Sequence, residues 1–178
     1  MEKEQRTRKH VGGRWPVWVW VASVLWMAVI FAFSAQDGNG SSQLSAATTF
    51  CAAFWFWPGF SALSAAQQAA WIASVQFLVR KAAHFSVYAV LGGLYYLDAR
   101  TLPNIRWPKC CAWAAGTIYA ASDELHQLWV PGRSGRLADV ALDSAGVLAG
   151  VLAGWALWLL WKKVAAYAAA KRQAKQGL

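Results

Sequence analysis

Two strongly apolar stretches of this chain are also free of charged side chains: residues 17–33, VWVWVASVLWMAVIFAF, and residues 144–161, SAGVLAGVLAGWALWLLW. A helix needs roughly 20 mostly apolar residues to cross about 30 Å of hydrocarbon, and inside lipid the backbone must satisfy its own hydrogen bonds. Runs of this length and purity therefore point to helices made for a membrane. Composition agrees. The chain is 58% hydrophobic and only 14% charged, against about 25% charged in an ordinary soluble domain. Its 13 tryptophans suit the water–lipid boundary, where an indole keeps one edge wet and its body dry.

The sequence predicts one all-α, polytopic membrane domain of 178 residues, a compact bundle of four transmembrane helices over residues 17–33, 78–97, 109–128 and 138–161. A basic leader (1–16) and a basic tail (162–178) flank it. Between the first two spans, residues 46–78 hold short apolar pieces broken by Pro58-Gly59, and are read as interfacial or re-entrant helical segments, with a fifth span as the alternative. The first run is also weighed as a signal peptide. At 17 residues it exceeds the usual apolar core of about 7–15, which favours an uncleaved helix. Cys51, Cys110 and Cys111 offer neither an even set nor a metal spacing, and are read as small apolar residues.

Charge sets the orientation. The leader holds Lys3, Arg6, Arg8, Lys9 and Arg14. The loop after the second span holds Arg100, Arg106 and Lys109, and the tail Lys162, Lys163, Lys171, Arg172 and Lys175. With four spans these 13 of the 17 basic residues lie on one side, which the positive-inside rule makes cytoplasmic, with both termini. The net charge of +9 then needs no nucleic acid, since anionic lipid head groups suffice as partners. Arg80, Lys81, Arg133 and Arg136 fall on the outer side with Asp37, Asp123, Glu124, Asp139 and Asp143.

Helical spacing decides which outer groups can meet. Arg80, His84 and Tyr88 recur every four residues along one stripe of the second span, and Asp123 and Gln127 share a face of the third. Asp139 and Asp143 are again four apart on the fourth. The turn-rich linker WVPGRSGR makes the third and fourth helices antiparallel neighbours. Asp143 should lie about one turn inside the apolar zone, where a carboxylate costs a few kcal/mol unless it faces the interior and finds a partner. Arg80 or Lys81 is the expected partner. Below, Gly146, Gly150 and Gly154 repeat at four-residue intervals, a groove that lets helix backbones approach. Gly92-Gly93 is the expected counterpart, and packing within one chain or between two stays open.

These residues also carry a resemblance. FSAQ with Ser41, Ser42 and Ser45, then RKAAHFSVYAVLG at residues 80–92, then SDELHQLWVPGRSGRLADVALDSAG at residues 122–146, are similar to the VanZ-like family over residues 34–150. The Trp-rich stretch at 46–60 looks particular to this chain. The resemblance implies an integral protein of the bacterial cell envelope, associated through the founding member with tolerance to lipoglycopeptides such as teicoplanin. It brings no defined biochemical activity.

Three functional readings follow. In one, Arg80, Lys81, Arg133 and Arg136, with Tyr88 and Gln127, bind an anionic lipid or a lipid-linked phosphate such as a polyprenyl phosphate at the outer leaflet. His84 or Glu124 moves a proton, and Asp123, Asp139 and Asp143 orient the histidine or hold a divalent metal. In the second, the same groups bind an envelope lipid or a drug without chemistry. In the third, the cluster staples the helices together. Nine ionisable groups converge, more than a staple requires, which favours a site. His126 is expected to face lipid or solvent, and His10 to be solvated. No nucleotide-binding, nucleophile-elbow or zinc-ligand spacing occurs, so the identity of any cofactor is open, with a divalent metal the candidate.

Overall fold

The computed structural model describes residues 17–176, with side chains to residue 173. The basic leader, with His10, lies outside the described residues. Every regular element in the described part is a helix: α1 (Trp18–Ser34), α2 (Gly38–Phe56), a short 3-10 turn (Phe60–Ala62), α3 (Ala65–Thr101), α4 (Pro108–Gln127) and α5 (Leu137–Gln176).

Local chemistry sets the boundaries. The Asp37 side chain accepts from the Gly40 N–H and starts α2. Ser64 and Gln67 form a reciprocal capping box at the start of α3. Pro108 occupies the first turn of α4, where a missing N–H costs nothing. Gly132 takes a positive φ of 72° in the linker before α5, a conformation that favours glycine.

The helices run longer than the spans assigned to them. At 37 and 40 residues, α3 and α5 are about 55 and 60 Å long at 1.5 Å per residue. Residues 65–78, expected to be a separate interfacial piece, are instead the opening turns of α3, because the Ser64 cap and the Ala- and Gln-rich start nucleate the helix early. Likewise α2 begins at Gly38, well before residue 46. It leaves α1 at an angle of 106°. Phe60 is fully buried under Phe50, Trp57 and Trp71, which closes the Pro58-Gly59 turn onto α3.

Among the described residues one helix, Leu137–Gln173, is alone long and apolar enough to cross a membrane, and α1 qualifies jointly with α2 as a bent pair. The expectation of four separate spans is thus met for the last helix by length and apolarity. At 17 residues α1 is short. Ionisable groups dilute the apolarity of α3 and α4; among them Asp98, Asp123 and Glu124 are buried in the bundle.

The core lies where α3 packs along α5, flanked by α4 and α1. Close approach is made by glycine on both helices. A side chain at Gly150 would collide with the Ala89 carbonyl, and one at Gly92 with the Val147 carbonyl. The groove therefore packs helices within the chain, with Gly92 and Gly93 as its counterparts. Polar groups are buried beside the apolar core, and large apolar side chains cover the outside. Ser23, Ser34, Asp98, Asp123, Glu124, Gln127 and Asp143 are buried, while Phe31, Ile118, Leu125, Leu157 and Leu160 are exposed. Ionisable groups on membrane helices generally face the bundle interior in this way.

Candidate functional site

All eleven residues singled out by spacing come to one end of the bundle. The α3 stripe brings Arg80, Lys81, His84 and Tyr88; α4 brings Asp123, Glu124 and Gln127; the linker brings Arg133 and Arg136; α5 brings Asp139 and Asp143.

Several are bonded to one another or to the scaffold. Lys81 forms an ion pair with Asp139. The Tyr88 hydroxyl donates to Asp123 Oδ2 at 3.0 Å, buried on all sides. Glu124 Oε2 accepts the backbone N–H of Arg136 at 3.0 Å, tying the linker to α4. Gln127 Nε2 donates to Ser34 Oγ at 2.8 Å, joining α4 to α1. The Arg133 guanidinium donates to the carbonyls of Gln36 and Phe33, both at 3.1 Å. It thereby braces the break between α1 and α2, helped by a bond from Gly38 N–H to the Pro131 carbonyl. Burial, and after it the neighbouring Arg80 guanidinium, pull the Arg133 pKa down from the usual arginine value. An arginine nonetheless stays a cation at biological pH.

Two groups stand apart. Arg80 is half-buried and makes no hydrogen bond or ion pair among the described residues. Asp143 is completely buried, and neither of its oxygens receives a hydrogen bond. Lys81 is committed to Asp139, so the expected pairing of Asp143 with Arg80 or Lys81 gives way to His84, whose Nδ1 lies 3.9 Å from Asp143 Oδ1. Asp123 Oδ1 is likewise without a partner.

Two cavities meet at these groups. A polar one of about 340 Å³ is walled by the basic residues, Glu124, Gln127, Asp139 and Asp143. An apolar one of about 330 Å³ runs between α1, α2 and α3, past Ile30, Phe33, Leu44, Val79 and Val87. Arg80, His84 and Arg133 belong to both. Among the described residues no three His, Cys, Asp or Glu side chains are grouped to hold a metal ion; the carboxylates are spread over separate pairings.

Sequence spacing missed the contribution of α1 and α2. Ser34, Gln36 and Ser41 line the apolar cavity; the FSAQ element and its downstream serines were the available signal. His126 turns its ring onto Phe31, 4.6 Å between centroids, rather than into the polar cavity. At the far end of the bundle Ser23 donates to Asp98, a buried pair signalled by a serine inside the apolar run of α1 and an acid at the end of another.

With this geometry in view, the family model described as VanZ/LLP1 matches residues 19–161. The chain belongs to the VanZ-like family. It is therefore a member of a membrane-protein family associated with teicoplanin resistance. No curated protein and no solved structure matches the chain. The matched region contains every residue of the two cavities.

Proposed function

We propose that this VanZ-like protein binds an anionic lipid or a lipid-linked phosphate at the outer face of the bacterial cytoplasmic membrane. One observation carries the reading: a polar, cation-lined cavity and an apolar cavity share Arg80, His84 and Arg133. A charged head with an attached chain fits such a pair of spaces. Arg80 is the main ligand-binding cation, because it has no partner of its own among the described residues. A guanidinium fork is shaped for phosphate oxygens. His84, next to the unbonded Asp143 carboxylate, supplies a place for a proton beside the bound head group.

In this reading the four assigned spans, 17–33, 78–97, 109–128 and 138–161, cross the membrane with both termini cytoplasmic. The division of basic residues and the outward-facing apolar side chains support that placement. The stapling role has support of its own, because the Lys81–Asp139 and Tyr88–Asp123 contacts each join two helices. It accounts for those four groups and leaves Arg80 and Asp143 unexplained. Native mass spectrometry of the purified protein tests the proposal: anionic lipid should co-purify with wild type, and its occupancy should fall in Arg80→Ala. Equal occupancy in the two would remove Arg80 from the role.

A further inference from the structure

The two cavities also restrict what kind of phosphate lipid fits. A methylene takes up about as much room as a water molecule, roughly 30 Å³, so the 330 Å³ apolar cavity holds on the order of ten methylenes. That is about one ten-carbon chain segment inside the protein, so the second chain of a two-chain lipid would have to lie outside the cavity.

Charge restricts the head. Four cations, Arg80, Lys81, Arg133 and Arg136, line the polar cavity. Two carboxylates, Glu124 and Asp139, face them, while Asp143 is fully buried, where loss of hydration disfavours its charge. The lining is thus only weakly positive, a match for one phosphate and a poor one for the larger charge of a diphosphate.

Resting on the anionic-lipid reading above, we propose that the paired cavity selects a single-chain lipid phosphate monoester. Its phosphate lies between Arg80 and Arg133, and its chain lies among Ile30, Phe33, Leu44 and Val87. Leu44 is 45% exposed and stands at the rim of the apolar cavity, so it controls entry of the chain without supporting the core.

The test is a binding titration by native mass spectrometry on the full chain in a short-chain neutral detergent. The probes are hexadecyl phosphate, hexadecyl diphosphate, a two-chain phosphatidic acid and inorganic phosphate. Hexadecyl phosphate should bind at least about tenfold tighter than each of the others, and Arg80→Ala should weaken it by about tenfold, the loss expected for one charge-assisted hydrogen bond. Leu44→Trp should block hexadecyl phosphate while leaving the melting temperature unchanged.

Equal binding of phosphatidic acid would overturn the single-chain assignment, and equal binding of the diphosphate would overturn the monoester. Inorganic phosphate binding as tightly as the lipid would show that the chain has no part. If hexadecyl phosphate binds but neither variant affects it, the ligand sits elsewhere. If no phosphorylated lipid binds, the anionic-lipid reading itself falls.

Discussion

His84 Nδ1 lies 3.9 Å from Asp143 Oδ1, beyond hydrogen-bond length, and Asp143 is fully buried with neither oxygen bonded. A buried, unsatisfied carboxylate is a cost that folding alone would remove. Sites shaped for function keep such costs, and relieving them tends to stabilise. Asp143→Asn should therefore melt at or above the wild-type temperature in detergent, while losing lipid occupancy or its selectivity. A sharp fall in melting temperature would mean that Asp143 holds the bundle together.

Asp123 behaves differently because one of its oxygens is engaged. The Tyr88 hydroxyl is buried and donates to Asp123 Oδ2. Asp123→Asn keeps an acceptor there and should change stability little. Asp123→Ala strands the hydroxyl, and should cost about 1–3 kcal/mol. The comparison needs only thermal melts of the two variants. Equal melts would show that the Tyr88 bond contributes nothing.

Arg133 and Arg80 should separate folding from binding. Arg133 donates to the carbonyls of Phe33 and Gln36 at the break between α1 and α2. A lysine cannot reproduce both bonds of the planar fork. Arg133→Lys should thus lose about 1.5–3 kcal/mol of stability, the range for a hydrogen bond to a charged group. Arg80→Ala breaks no bond within the described residues and should melt like wild type. Loss of stability in Arg80→Ala, with none in Arg133→Lys, would reverse these roles.

The ionisable end of the bundle was legible in the sequence because helical spacing is rigid. Arg80, His84 and Tyr88 on one stripe, with Asp139 and Asp143 on another, could meet only if their helices packed side by side, and the glycines at 92, 146 and 150 had already provided for that packing. The identity of the partners was less legible. Lys81 and Arg80 are adjacent in sequence, and one helical step of about 100° separates the cation that meets Asp139 from the one left for a ligand. The end of the first span at residue 33 was legible, but the bracing of the α1–α2 break was not, for another reason. It depends on Arg133, about a hundred residues away, reaching the Phe33 carbonyl, a contact no local pattern encodes. Helix ends also misled: the apolar count ended the second span near residue 78, whereas the Ser64–Gln67 cap starts the helix at residue 65.

The α3–α5 contact sets a steric test. A side chain at Gly150 would run into the Ala89 carbonyl on the facing helix, and backbone atoms cannot swing aside as a flexible side chain can. Forced overpacking of this kind costs typically about 1–3 kcal/mol, occasionally more. Gly150→Ala should lower the melting temperature, and Gly150→Leu should abolish folding. Because the groove is filled by α3 of the same chain, the mass of the folded Gly150→Ala protein in detergent should equal that of wild type. A change in mass with unchanged stability would assign the groove to contacts between chains.

At the opposite end, Ser23 Oγ donates to Asp98 Oδ2, and Asp98 Oδ1 has no partner although the residue is only 4% exposed. This pair joins α1 to α3 far from the two cavities, so it should matter to the bundle and not to the ligand. Ser23→Ala removes this hydrogen bond between α1 and α3 and leaves Asp98 with neither oxygen satisfied, at a cost of about 1–3 kcal/mol. Adding Asp98→Asn to Ser23→Ala replaces the unsatisfied carboxylate by a neutral amide and should recover part of that loss. Lipid selectivity should be the same in all three proteins. A melt series with binding read on the same samples checks both halves: no recovery in the double variant would show that burial of charge is not what Ser23 offsets, and altered selectivity would tie the two ends of the bundle together.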